Sequence, residues 1–88
     1  MAIGMIFCGF TQAQYDRVRT QVAPDNRRAP GLRFHAAGQG QDGFCVVEVW
    51  DSQEALDAFF ADRLGAALQE ANITAQPTFF QVTNTMDA

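Results

Sequence analysis

An α+β domain in the order strand, helix, strand, strand, helix, strand is what this sequence predicts, and three observations carry the prediction. Phe44, Val46, Glu48 and Trp50 alternate with Cys45, Val47 and Val49, the two-residue period of a strand. Directly after Trp50 the period changes to steps of three and four, through Leu56, Phe59, Phe60, Leu64, Ala67, Leu68 and Ala71, which defines one face of a helix. The same strand-to-helix change occurs earlier, where the apolar run from Ala2 to Phe10 gives way to Thr11 and a stripe of Tyr15, Val18 and Val22.

Each element has its own justification. Ala2 to Phe10 is short and nearly all apolar, the pattern of a buried first strand. Thr11 and Gln14 have capping-box spacing for the first helix, and Pro24 stops it. Pro30-Gly31 marks a turn ahead of a second strand over Leu32 to Ala37. The glycine-rich segment from Gly38 to Gly43 joins that strand to the third as a hairpin. Asp51 or Ser52 caps the second helix, with Asp51 and Glu54 spaced as a capping box, and Gly65 interrupts the helix. Thr78 to Thr85 is the last strand, and Met86 to Ala88 are expected to fray. The order is ferredoxin-like β-α-β-β-α-β: an antiparallel four-stranded sheet with both helices on one face, as one domain over residues 1–88. The second sheet face then needs cover, and in so short a chain a second copy is the expected source, making a homodimer.

Composition narrows the function classes. The 88 residues have a net charge of −4, with six arginines and no lysine, which speaks against a nucleic-acid surface. No apolar run approaches the roughly 20 residues of a membrane span, and Met1 to Phe10 lacks the features of a signal peptide. Cys8 and Cys45 sit in strand patterns. With the first and third strands taken as parallel neighbours, the two cysteines are offset along the sheet, so they are expected to be reduced core thiols in a cytoplasmic protein. No cluster has metal-ligand spacing, and neither a metal nor a cofactor is expected. The glycines at 38, 40 and 43 join two strands, so they are turn residues rather than a phosphate loop.

The residues from Val49, Trp50, Asp51 and Ser52 through Phe59 and Phe60 resemble the dimeric α+β barrel superfamily. More narrowly, the chain is similar to its antibiotic-biosynthesis-monooxygenase-like branch, which includes many small uncharacterised members. The strand Leu32 to Ala37 and the Gly43-Phe44 start of the next strand share in this likeness. The resemblance spans nearly the whole chain and implies a homodimer with a cavity. Its haem-degrading members use Asn, Trp and His at positions that correspond here to Phe7 or Cys8, Phe59 and Gln69, so that chemistry is not implied. Members that oxidise aromatic polyketides without a cofactor place Asn, Trp and Tyr in the cavity, and only Trp50 matches readily.

The strand periods suggest a site. Leu32, Phe34 and Ala36, with Cys45, Val47 and Val49, form the purely apolar sets and are expected beneath the helices. Arg33, His35, Phe44, Glu48 and Trp50 then share the opposite face, toward a dimer cavity, with Arg33 paired to Glu48. Phe79 and Gln81 on the last strand would join them, leaving Phe80 and Val82 for the helices. Histidine is the side chain whose ordinary titration lies nearest neutrality, so His35 with Glu48 is the candidate catalytic pair. Arg33, Phe44, Trp50, Phe79 and Gln81 are the candidate ligand contacts. An Arg33–Glu48 ion pair with no catalytic part accounts for the same residues. Two functions follow: a homodimer binding a small apolar ligand without a clear catalytic set, or a cofactor-independent monooxygenase or isomerase acting on a small aromatic or hydrophobic substrate. The residues alone leave open whether the chain is an enzyme.

Overall fold

The structure, a computed structural model, describes residues 1–86; of the C-terminal segment expected to fray, residues 87 and 88 lie outside the described residues. Strand β1 (Ile3–Phe10) leads through Thr11 into α1 (Gln12–Val22). There the Thr11 hydroxyl accepts from Gln14 N and the Gln14 side chain returns to Thr11 N, the capping box read from the sequence. Strands β2 (Leu32–Gly40) and β3 (Gly43–Trp50) form a hairpin. Then come α2 (Gln53–Phe59), a π-helical turn (Phe60–Leu64), α3 (Gly65–Glu70) and β4 (Thr78–Gln81). The sheet is antiparallel throughout, in the order β2-β3-β1-β4, so the fold is the ferredoxin-like α+β arrangement.

Local details depart from the sequence reading in instructive ways. Of the two expected caps Ser52 takes the place on α2, its hydroxyl accepting from Ala55 N at 3.1 Å, and the Asp51–Glu54 box does not form. Asp51 instead pairs with Arg33. The interruption expected at Gly65 takes the form of the π-helical turn that ends there. The Gly65 N–H donates to the Phe60 carbonyl, a five-residue step that widens one turn. A Cβ at residue 65 would sit 3.2 Å from that carbonyl oxygen, so the position suits glycine. The hairpin is tighter than expected: β2 continues to Gly40, which pairs with Gly43 across two residues, and Gly43 takes a φ of +119° that side-chain-bearing residues rarely adopt. The register therefore sits two residues from the expected one, and His35, not Arg33, lies opposite Glu48. Arg33 forms a bulge between the Leu32–Trp50 and Phe34–Val49 pairs.

The larger correction concerns which face the helices cover. Met5, Phe7, Phe10, Phe44 and Val46 make one buried cluster, against which Tyr15 of α1 and Leu68 of α3 pack. Ile3, Trp50 and Leu56 make a second, with Phe59 against it, and Val18, Ala67 and Ala71 join the helices to each other. The set expected to face away from the helices is thus the one beneath them. Strand β1 shows why: its inward row of Ile3, Met5 and Phe7 is bulky, whereas the alternate row includes Gly4 and Cys8. The space between sheet and helices goes to the rows that can fill it. Trp50 at the end of β3 is fully buried there. The opposite face is apolar and open, with Ile6 43%, Phe34 53%, Val47 38% and Phe80 48% exposed. Phe80 lies over Gly4 on that face, whereas Phe79 and Gln81 take the helix side of an edge strand, the reverse of the expected orientation.

Cys8 and Cys45 form a disulfide, against the expectation of free thiols. That expectation rested on parallel neighbours, but β1 and β3 run antiparallel, and this places the two cysteines directly opposite each other with Cα atoms 4.1 Å apart. The argument from reduced thiols to a cytoplasmic location loses its premise. No helix among the described residues is long and apolar enough to cross a membrane. Closing a loop between residues 37 apart in sequence is worth about 3–4 kcal/mol by chain-entropy arguments. Iodoacetamide should leave the native protein unlabelled and add two groups after reduction. Reduction should lower the denaturation midpoint. Labelling of both cysteines without reductant would contradict the assignment.

Candidate functional site

A cleft of about 570 Å³ opens between the sheet and the helices. Its floor is made by Met5, Phe7 and Val46, and its helical wall includes Val18, Phe59, Leu64 and Leu68. The volume falls within the range of small-molecule sites. At the β2–β3 side of the cleft its apolar lining is interrupted by Tyr15, His35 and Glu48.

These three residues and Trp50 form one hydrogen-bonded chain. The Tyr15 hydroxyl lies 2.7 Å from His35 Nε2, and His35 Nδ1 lies 2.6 Å from Glu48 Oε2. The other carboxylate oxygen, Glu48 Oε1, accepts from Trp50 Nε1 at 2.9 Å. The fold brings each part in separately. His35 and Glu48 are direct cross-strand partners, Trp50 is two residues along the same side of β3, and Tyr15 descends from the first turn of α1. The Tyr15 ring stacks on His35 at 6.0 Å and packs on Phe44 at 5.0 Å between centroids. Glu48 is only 7% exposed, and an isolated carboxylate would be costly at such a position. Two donors on two oxygens satisfy it, and among the described residues no buried side-chain nitrogen or oxygen lacks a partner.

The direction of the chain follows from its ends. The indole can only donate and the carboxylate can only accept, so His35 Nδ1 carries a proton toward Glu48. In neutral His35 the free Nε2 then accepts from the Tyr15 hydroxyl. When Nε2 is protonated, the hydroxyl rotates and becomes the acceptor. Either arrangement leaves every member of the chain paired. Burial is the largest cause of an upward shift in the Tyr15 pKa, opposed by the Arg19 charge and assisted by Glu48 and Asp16, so the phenol keeps its proton and can serve in either role.

Of the residues expected at the site, His35, Glu48 and Trp50 meet in this chain. Phe44 is buried behind Tyr15. Arg33 reaches the cleft rim but pairs with Asp51 at 2.9 Å rather than with Glu48. Phe79 and Gln81 lie on β4, which contributes nothing to the cleft lining. Tyr15 is the residue that sequence reasoning missed as a site member. Its place at the head of the inward helical stripe was visible, but the link to His35 depends on knowing that both share one side of the sheet.

No family model matches the sequence, and no curated protein matches it either. Solved structures do. A Chloroflexus aurantiacus protein named as a candidate antibiotic biosynthesis monooxygenase superposes with a TM-score of 0.69 at 18% identity, over 99% of this chain and 98% of that one. SnoaB, a cofactor-independent oxygenase from Streptomyces nogalater, gives 0.62 at 16% identity, over 99% and 95%. The haem-degrading protein Rv3592 from Mycobacterium tuberculosis gives 0.63 at 20% identity, over 99% and 100%. The chain has the ferredoxin-like α+β fold, in the form that these solved structures share.

Proposed function

We propose that this chain is a single domain that works as a homodimer and binds a small, planar, largely apolar molecule in the cleft between its sheet and helices. The observation that supports this most is the cleft itself, apolar over most of its lining, with Tyr15 and His35 at one side and charged side chains around its mouth. Phe59, to which the resemblance assigns the Trp of haem-degrading members, lines the same cleft, as does Phe7, one of the two positions (Phe7 or Cys8) to which it assigns their Asn. Support for the dimer comes from the open sheet face: four large apolar side chains stand exposed on a surface that a second copy would cover.

A second reading, as a cofactor-independent oxygenase or isomerase, is favoured by one specific observation. A histidine backed by a buried carboxylate faces an apolar cavity, the arrangement a general base needs. In that reading the Tyr15 hydroxyl takes a proton from a bound enol or phenol as it passes its own to His35 Nε2, while Glu48 orients the ring.

Titration with 2-naphthol followed by amide NMR should perturb the signals of Tyr15, His35, Val46 and Leu68, and Val18→Trp should abolish the effect by filling the cleft. Perturbation confined to Ile6, Val47 and Phe80 would overturn the cleft assignment. If the cleft is catalytic, oxygen uptake with a hydroquinone-type substrate should fall by about 100-fold or more in His35→Gln; unchanged uptake would remove His35 from the mechanism. Sedimentation should give twice the mass of one chain, and Val47→Glu should shift it to the monomer. A wild-type monomer would contradict the dimer.

A further inference from the structure

Five of the six arginines of this acidic chain line one cleft. Arg19 comes from α1, Arg27 and Arg28 from the connection after it, Arg33 from the β2 bulge and Arg63 from the π-helical turn. Against them the lining holds two carboxylates, Asp25 and Glu48, although the chain has ten acidic residues and a net charge of −4. Four separate segments thus converge their positive charge on the mouth of an apolar cavity, with most of the negative charge left elsewhere.

Not all of that charge is available. Arg27 pairs with Asp25 at 3.4 Å, Arg33 with Asp51 at 2.9 Å and Arg63 with Asp62 at 3.3 Å. Glu48 is committed to His35 and Trp50. Arg19 and Arg28 are different: neither has an ion-pair partner among the described residues. Arg28 uses Nη1 to hold the Arg33 carbonyl at 3.2 Å, which ties it to the rim while its charge stays uncompensated. Arg19 lies one helical turn from Tyr15, and its charge acts on that phenol, so it stands beside the polar side of the cavity.

We infer that the cleft selects an organic anion, an aromatic carboxylate whose planar body fills the apolar cavity while its charged group is held at the rim by Arg19 and Arg28. This rests on the cleft being a binding site and adds the class of ligand. Guanidinium groups are suited to the role because they stay charged and match a carboxylate in two-pronged geometry. A low-dielectric wall behind them focuses their field on the entrance. An anion seated there would sit next to the Tyr15–His35 pair, leaving the apolar body for the floor of Met5, Phe7 and Val46.

Matched probes of one shape separate this inference from the reading beneath it. Isothermal titration with 2-naphthoate, its neutral amide 2-naphthamide and the cation 2-naphthylmethylammonium should rank the anion tightest, by roughly tenfold over the amide. Arg19→Gln and Arg28→Gln should each weaken naphthoate by about three- to tenfold and change naphthamide by less than twofold, with circular dichroism confirming the fold. Added salt should weaken naphthoate selectively. Naphthamide binding as tightly as naphthoate would overturn the anion assignment and leave the cleft reading intact. Failure of all three probes to bind would overturn both.

Discussion

The carboxylate of Glu48 is the constraint around which this structure is arranged. It lies under the helices in a sheet face otherwise made of Met5, Phe7, Phe44, Val46 and Trp50. Nothing in apolar packing would place it there, and its presence requires two donors at fixed positions. Trp50 and His35 supply them, one from the same strand and one from the neighbouring strand. Each donor is in turn fixed by something else. Trp50 is fully buried at the corner where β3 turns into α2, and His35 is held on its far side by Tyr15 of α1. A single buried carboxyl group thus links both middle strands and the first helix, and sets a hydrogen-bonded polar patch into one side of an apolar cleft.

The sheet has two apolar faces, and this is why its orientation is the hardest feature to read from the chain. Leu32, Phe34, Ala36, Cys45, Val47 and Val49 look like the buried set because they contain no charge. The helices nevertheless cover the other set, and of these residues Leu32, which the Arg33 bulge puts opposite Trp50, packs with it. Polar residues are not excluded from a core when they satisfy one another, and the covered face has the larger volume to fill. The uncharged face, with Ile6, Phe34, Val47 and Phe80 exposed, is left as a surface. The Cys8–Cys45 bond on that side ties β1 to β3.

Much of the architecture was legible because it depends on local chemistry. The change of period after Trp50, the Thr11–Gln14 box and the Pro24 stop are decided within a few residues, and the element order follows from them. That His35, Glu48 and Trp50 share a face was also legible, since period-two alternation survives a register error of two. What escaped depends on relations between distant segments. The two-residue turn between Gly40 and Gly43 moved the Glu48 partner from Arg33 to His35. The antiparallel pairing of β1 with β3 brought Cys8 and Cys45 together. The role of Tyr15 needed both the helix position and the sheet orientation, and no local pattern encodes either.

The most direct test of this account is the protonation pattern of the His35 ring, read by long-range ¹H–¹⁵N correlation at mildly alkaline pH. The account predicts the neutral tautomer with the proton on Nδ1, facing Glu48, and an unprotonated Nε2 accepting from Tyr15. Replacing Glu48 by Gln should disturb that tautomer, and Tyr15→Phe should shift the Nε2 signal alone. A ring protonated on Nε2 with Nδ1 bare, or one indifferent to Glu48, would contradict the claim that a buried carboxylate organises this site.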